Sequence, residues 1–137
     1  MITHCSTQQI ESWNCRLCKD YPYMSHLSQI ENKVAEISGF IGFDSLANAI
    51  VISWRGTVDT KNWIEDMDFK QRDFTFDSKC SKCKVHAGFY DSYELVSKKV
   101  KETVSTLLGQ FPTASIQITG HSLGGALATI CGMCDHT

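Results

Sequence analysis

The stretch from residue 116 to 126 constrains the fold of this chain more than any other part of its sequence. It reads IQITGHSLGGA, a segment rich in β-branched residues, then Gly-x-Ser-x-Gly, then residues that favour a helix. A strand that turns sharply into a helix strains the backbone of the serine, and side chains two positions away would collide with the strand and the helix. Gly120 and Gly124 lack those side chains. The pattern therefore predicts a nucleophile elbow with Ser122 exposed at its tip.

The elbow also predicts a site for negative charge. The backbone N–H of Leu123 would lie at the N-terminus of the new helix and point to where an oxyanion forms during acyl transfer. His121 flanks the serine, and we expect its geometry to be wrong for a general base. The alternative interpretation is a glycine-rich turn without a catalytic role.

Length and composition limit the class of protein. The chain has 137 residues, which is one domain or part of one. The net charge of -2 and the lack of a Lys/Arg run give no support for a nucleic-acid partner. No apolar segment approaches the roughly 18 residues of a membrane span, and the N-terminus lacks the basic and apolar regions of a signal peptide.

Hydrophobic spacing predicts an α/β fold. Apolar residues at intervals of three and four favour a long helix over 89–111, which Gly109 and Pro112 would end. Helix, strand and helix in that order around Ser122 argue for a locally parallel sheet. The other predicted elements are an antiparallel hairpin from Lys33–Asp44 and Ala47–Trp54, a short helix over 58–67, an extended segment over 68–75, a strand over 115–119 and a helix over 123–133.

Cysteine spacing indicates either local disulfides in an oxidising compartment or a metal site. Six of the seven cysteines form Cys-x-x-Cys pairs, and the seventh is Cys5; the pairs are Cys15/Cys18, Cys80/Cys83 and Cys131/Cys134. The first two pairs are disulfide candidates, with a four-cysteine zinc site as the alternative. The third pair falls on a predicted helix, where small buried apolar residues are the simpler interpretation.

Three motifs resemble the class 3, fungal-type lipases of the α/β-hydrolase superfamily, over nearly the whole chain. They are WRGT at 54–57 followed by NWIED at 62–66, VHAGFYDSY at 85–93, and the elbow. The resemblance implies a partial α/β-hydrolase sandwich with a central, mostly parallel sheet, as a single incomplete domain over residues 1–137. Its cysteine-rich segment at 5–23 also resembles relatives in which a Cys15–Cys18 type of pair closes a small disulfide loop.

The resemblance implies a role for each motif. Ser122 would be the nucleophile that forms an acyl-enzyme, and Leu123 and Thr57 would donate to the oxyanion. A strand-end turn residue is the alternative for Thr57. His86 would fix the strand-to-helix turn below the active site rather than take part in catalysis.

The segment over 58–67 resembles the family's lid. Val58 would contact substrate, and Trp63, Ile64 and Met67 would form the apolar face of a short helix. Such a helix is marginal alone, so it could cover the serine when closed and meet a lipid–water interface when open. The alternative is that Trp63 belongs to the core.

The catalytic triad is incomplete in this sequence. In α/β-hydrolases the acid and then the histidine follow the serine, and the only candidates after Ser122 are Asp135 and His136. A helix over 123–133 would end roughly 16 Å from its start, whereas a base must approach within about 3 Å. In relatives with this layout the cysteine that matches Cys5 pairs near the distant C-terminus. We therefore expect the N-terminal half of a lipase domain, with the elbow strand at an exposed sheet edge.

The sequence predicts a lipase- or esterase-type serine hydrolase of acylglycerols that uses no cofactor and has little activity as this chain alone. Cysteine content and the family imply a secreted, lumenal or vacuolar location. Two alternatives stay open: a non-catalytic lipid- or partner-binding remnant that uses the Trp63 face, and a zinc-stabilised module.

Overall fold

The computed structural model describes residues 5–56, 70–74 and 82–134. Helix α1 spans Thr7–Glu11, and a 3-10 helix spans Arg16–Asp20. The strands are β1 (Met24–Asn32), β2 (Ile37–Asp44), β3 (Ala49–Trp54), β4 (Gln71–Asp73), β5 (Lys84–His86) and β6 (Ser115–Gly120), and the longer helices are α2 (Ala87–Gln110) and α3 (Leu123–Cys134). Apart from the segments outside the described residues, the elements predicted from residue 33 onward are present, but β2 begins at Ile37 rather than Lys33. Residues 33–36 form a turn, because Asn32 Oδ1 accepts from the backbone N–H groups of Val34 and Ala35.

Four strands form one mixed sheet in the order β1-β2-β3-β6. β1–β2 and β2–β3 are antiparallel, and β3–β6 is parallel. Short connections join the antiparallel pairs, whereas the parallel pair is joined through α2, as a parallel crossover requires. The α/β class is confirmed, but the expectation of a mostly parallel sheet is wrong for the part of the sheet that the structure describes, because two tight connections precede the only parallel pairing there.

The predicted hairpin of β2 and β3 is closed by an Asx turn. Asp44 pairs with Ala49 in the ladder, and its Oδ1 accepts from the backbone N–H groups of Leu46 and Ala47 at 2.8 and 3.1 Å. A carboxylate that accepts hydrogen bonds from the backbone N–H groups two and three residues later in the chain favours a turn over a continued strand. The hairpin therefore fixes the position of β3 beside β2. Residues 55 and 56 follow at the carboxyl end of β3.

Helices α2 and α3 pack on one face of the sheet and form the core with it. Residues at helical spacing bury the inner face of α2: Tyr93, Val96, Val100, Val104 and Leu107. From β3, Ile50, Ile52 and Trp54 meet this face, with Trp54 and Tyr93 in an edge-to-face contact at 6.1 Å. Each fully buried side chain of this size contributes about 1.5–3 kcal/mol of transfer free energy. This packing fixes the strand end from which residues 55 and 56 emerge.

Strand β1 is the longest of the elements that the sequence analysis does not predict, the others being α1, the 3-10 helix and β5. Its pairing with β2 shifts register between Ser25 and Ser28, and His26 has a φ of 52°. A bulge of this kind breaks the alternation of inward and outward side chains on which strand prediction depends. The polar sequence of β1 is thus compatible with an outer strand of the sheet.

Strand β6 lies at the opposite end of the sheet order from β1. All six of its residues are exposed or half-buried, and Ile116 is 42% exposed. The expectation that the elbow strand occupies an exposed edge is therefore confirmed for the part of the sheet that the structure describes. Within the described residues, no helix is long and apolar enough to cross a membrane.

Candidate active site at the Ser122 turn

Ser122 occupies the tight turn between β6 and α3. Its φ of 57° lies in the left-handed region, which non-glycine residues rarely adopt because of steric strain. The carbonyl of Ser122 accepts from Gly125 and Ala126 at 2.8 and 3.2 Å, which starts the helix directly after the turn. The side chain is exposed. The strand, turn and helix predicted around Ser122 are confirmed, including the strained backbone.

The two motif glycines stand where no side chain fits. A Cβ atom at Gly120 would overlap the carbonyl of Gly124, and one at Gly124 would lie 2.5 Å from the carbonyl oxygen of Trp54. Real Cβ atoms do not approach backbone oxygens this closely, so both positions require glycine. The end of β3, the elbow and the first turn of α3 are therefore in direct backbone contact.

Helix α3 begins at Leu123, so the Leu123 N–H belongs to the first turn. N–H groups in the first turn of a helix have no intrahelical acceptor and carry the positive end of the helix dipole. From the other side Gly56 approaches the turn closely: its Cβ would lie 2.6 Å from the His121 carbonyl oxygen and 3.4 Å from Ser122 Cβ. The chain segment after β3 thus reaches the elbow immediately before Thr57.

Several predicted site residues lie outside the described residues. They are Thr57 of the oxyanion hole, Val58, Trp63, Ile64 and Met67 of the lid, Cys80, and Asp135 and His136 at the C-terminus. Their roles stay predictions.

The two described histidines near the motifs occupy different positions. His86 is the N-cap of α2, where its Nδ1 accepts from the Phe89 backbone N–H at 3.4 Å and its ring contacts the Phe89 ring. His121 directly precedes Ser122 and is exposed. His86 therefore fixes a strand-to-helix turn, as predicted from its motif.

Three of the described cysteines are disulfide-bonded, and the others carry thiols. Cys15 and Cys18 form a disulfide, and Cys83 is disulfide-bonded. This bonding contradicts the alternative that Cys15, Cys18, Cys80 and Cys83 hold zinc, since a disulfide sulfur cannot act as a thiolate ligand. On α3, the thiol of Cys131 is buried in the core, and the thiol of Cys134 is half-buried.

A groove of about 530 Å³ runs along the sheet face opposite α2 and α3. The N-terminal segment forms one wall with Trp13 and Leu17, and the floor includes Ser53 and Thr119. The groove ends at Gly120 and His121, the two residues before Ser122. Sequence patterns did not indicate this groove, because the N-terminal segment reaches the sheet only through tertiary contacts such as the Trp13–Phe40 ring pair.

The sequence of the chain matches a known family of proteins. Residues 51–134 match the family model described as Lipase (class 3). The secreted mono- and diacylglycerol lipase 1 of Fusarium solani is 36% identical over 94 residues, which cover 69% of this chain and 27% of that protein.

Solved structures agree with the sequence match. Lipase II from Rhizopus niveus superposes with a TM-score of 0.85 at 29% identity, over 96% of this chain and 49% of that one. A triacylglycerol lipase whose catalytic centre is described as a serine protease triad gives 0.84 at 29% identity, over 98% of this chain and 50% of that one. The chain thus spans about a quarter of that curated relative and half of these solved chains. With its elbow and its family match over residues 51–134, the chain belongs to the class 3, fungal-type lipases of the α/β-hydrolase superfamily.

Proposed function

We propose that this chain carries the nucleophile and the oxyanion hole of a serine hydrolase that cleaves carboxylic esters of acylglycerols. The observation that carries the proposal is the left-handed backbone of Ser122 at an exposed strand-to-helix turn. Strain of this kind is retained where the surrounding structure holds a residue in place for function. Relatives described as a mono- and diacylglycerol lipase and as a triacylglycerol lipase support the substrate class.

In the proposed reaction Ser122 Oγ attacks the ester carbonyl carbon and loses its proton to a base. The tetrahedral oxyanion accepts from the backbone N–H groups of Leu123 and Thr57, and loss of one such donor typically costs roughly 3–4 kcal/mol of transition-state stabilisation. Collapse of the intermediate breaks the ester bond and releases the alcohol, which takes up the proton. Water then hydrolyses the acyl-serine. The close approach of Gly56 to the turn supports the assignment of Thr57 as second donor.

We propose that the general base for Ser122 lies outside the described part of the chain. Helix α3 contains no histidine or acidic residue, and a helix of this length carries the chain roughly 16 Å from its start. His136 would then be too far away to accept the proton of Ser122. We therefore propose that the 137 residues alone turn over esters poorly.

We also propose where the protein is located, how many domains this chain forms and which segment meets a lipid surface. A disulfide and a relative described as secreted support an oxidising, extracellular or lumenal setting. The shared core of β1–β3, α2 and α3 supports a single domain. A lid over 58–67, with Trp63 on its apolar face, is the part of the chain that we propose meets the lipid–water interface.

The experiment measures hydrolysis of p-nitrophenyl butyrate by the chain and by Ser122→Ala, each with and without added imidazole. We expect little turnover without imidazole, and with it a rate above the free-imidazole background that depends on Ser122. If Ser122→Ala matched the parent chain in imidazole, the nucleophile would be misassigned. Robust Ser122-dependent turnover without imidazole would show that a base is present within the chain. Binding to lipid vesicles without any turnover, lost in Trp63→Ala, would instead favour the non-catalytic role.

A further inference from the structure

A small pocket of about 320 Å³ lies between strand β1 and helix α2. Its described lining residues come from these two elements alone: His26, Glu102, Thr103, Thr106, Leu107 and Gln110. Strands β1 and β6 lie at opposite ends of the sheet order, so the pocket is separate from the elbow and from the edge at β6. An imidazole and a carboxylate that line one pocket are a pair of groups that proteins use to bind metal ions.

The bulge in β1 brings His26 to the side of the sheet on which α2 lies. The pairing with β2 shifts register between Ser25 and Ser28, and His26 has a left-handed φ of 52°. In a regular strand Ser25 and His26 would point to opposite faces. Here Ser25 pairs with Phe43 of the core, while the His26 ring contacts the edge of the Phe111 ring at 5.0 Å, and Phe111 stacks on Phe43. The bulge therefore redirects the imidazole toward α2, which is a known use of such irregularities.

Two hydrogen bonds determine which nitrogen of His26 carries a lone pair. The Ser25 hydroxyl lies 3.4 Å from the carbonyl oxygen of Phe43 and donates to it, since a carbonyl oxygen only accepts. The same hydroxyl lies 3.0 Å from His26 Nδ1, and with its proton directed at Phe43 it accepts from Nδ1–H. The lone pair of the neutral ring is then on Nε2. Metal-binding histidines commonly donate their other ring N–H in this way.

Glu102 supplies a carboxylate to the same pocket. Its ion pair with Lys98 spans 3.9 Å and joins two exposed side chains, and such a pair holds its members only weakly. The carboxylate is therefore able to turn toward the pocket. Imidazole nitrogen and carboxylate oxygen together suit Zn²⁺ and related divalent transition-metal ions.

We propose that this pocket binds a divalent transition-metal ion, with His26 Nε2 and the Glu102 carboxylate as its protein ligands. Water completes the coordination, and the hydroxyls of Thr103 and Thr106 are the nearby groups that hydrogen-bond to it. The ion joins the outer strand β1 to α2, so it favours the folded state. None of these residues takes part in the proposed hydrolysis of esters, and the metal site does not depend on that proposal.

The test measures binding of NiCl2 to the tag-free 137-residue chain by equilibrium dialysis, because imidazole binds Ni²⁺ well. His26→Asn removes the imidazole and keeps a residue that tolerates a left-handed backbone, and Glu102→Gln removes the carboxylate charge. His121→Asn and Glu94→Gln are the matched controls, since they change an exposed histidine and an exposed glutamate outside the pocket. Circular dichroism verifies that each variant is folded.

We expect His26→Asn and Glu102→Gln each to weaken binding at this site by at least about tenfold. The double variant should bind little worse than either single variant, because both changes remove ligands of one ion. Ni²⁺ should raise the thermal midpoint of the parent chain and of both controls more than that of His26→Asn.

Three results would overturn the metal site. The first is equal affinity of the parent chain and His26→Asn. The second is a loss in His26→Asn without a loss in Glu102→Gln, since it would indicate a lone surface imidazole. The third is an equal loss in the two control variants, since it would place binding outside the pocket.

Discussion

Gly124 and Trp54 are in direct backbone contact, since a Cβ atom at Gly124 would lie 2.5 Å from the Trp54 carbonyl oxygen. This contact joins the end of β3 to the first turn of α3. Because Ser122 lies between β6 and α3, the contact also fixes the elbow against residues 55 and 56. The elbow is therefore held by glycines on one side and by the end of a buried strand on the other.

Replacing Gly124 tests this contact. We expect Gly124→Ala to lower the free energy of unfolding by about 1–3 kcal/mol, because the added methyl group forces the backbone apart. Gly109→Ala is the matched control, since nothing lies within 4 Å of its Cβ position on α2, and it should stabilise the chain by about 0.5–1 kcal/mol. Urea denaturation measures both. Equal effects of the two substitutions would show that the close approach at Gly124 is unimportant.

Lys99 connects α2 to β1. Its Nζ donates to the backbone carbonyl of Gln29 at 2.7 Å, and Lys99→Met should cost about 1 kcal/mol through loss of a charged hydrogen bond. The neighbouring Lys98 lies 3.9 Å from Glu102 in an exposed pair, so Lys98→Met should cost less than about 0.5 kcal/mol. Thermal unfolding of the two variants checks the order, and a larger loss for Lys98→Met would contradict it.

The phenol of Tyr90 is expected to lose its proton at a higher pH than an ordinary tyrosine. Desolvation raises the pKa of its phenol above the ordinary value, and the nearby Glu94 and Cys134 raise it further, against a smaller opposing effect of Arg72. The folded state thus keeps this proton when the unfolded chain begins to lose it near about pH 10. The stabilisation is full below that pH and is lost as the pH rises through the folded pKa.

Absorbance at 295 nm, compared between the parent chain and Tyr90→Phe, isolates this titration. The difference should have its midpoint above about pH 10. Tyr90→Phe should also lose less stability than the parent chain as the pH rises past that point. A midpoint at or below the ordinary value would mean that the phenol is well solvated.

The exposed edge at β6 predicts self-association. Unpaired strand edges with apolar side chains template pairing with other chains, and Ile116 is 42% exposed on this strand. We expect Ile116→Lys to slow aggregation measured by light scattering at equal folded fraction. Leu46→Lys, in the turn between β2 and β3 and 73% exposed, removes a comparable apolar side chain away from the edge and should leave the rate unchanged. If the Ile116→Lys chain aggregated as fast as the parent chain, self-association would occur through a surface other than β6.

The sequence predicts the parts of this fold that depend on local patterns. Helix α2 has a clear helical periodicity in the sequence, because five core residues recur on one face. The elbow can be recognised because only glycine fits at its two flanking positions. Strand β1 could not be predicted, since a bulge between Ser25 and Ser28 breaks its alternation. The approach of Cys5 to Cys15 and Cys18 and the groove beside Trp13 arise from tertiary packing, which residue spacing does not encode.

The most direct test of Ser122 as nucleophile is the mass of its acyl form. The chain and Ser122→Ala are incubated with p-nitrophenyl butyrate and imidazole, quenched in acid and digested with trypsin, which releases residues 102–137 as one peptide. We predict a butyryl group on Ser122 in the parent chain and an unmodified peptide from Ser122→Ala. Equal acylation of the two peptides, or acylation only at other residues, would contradict the assignment.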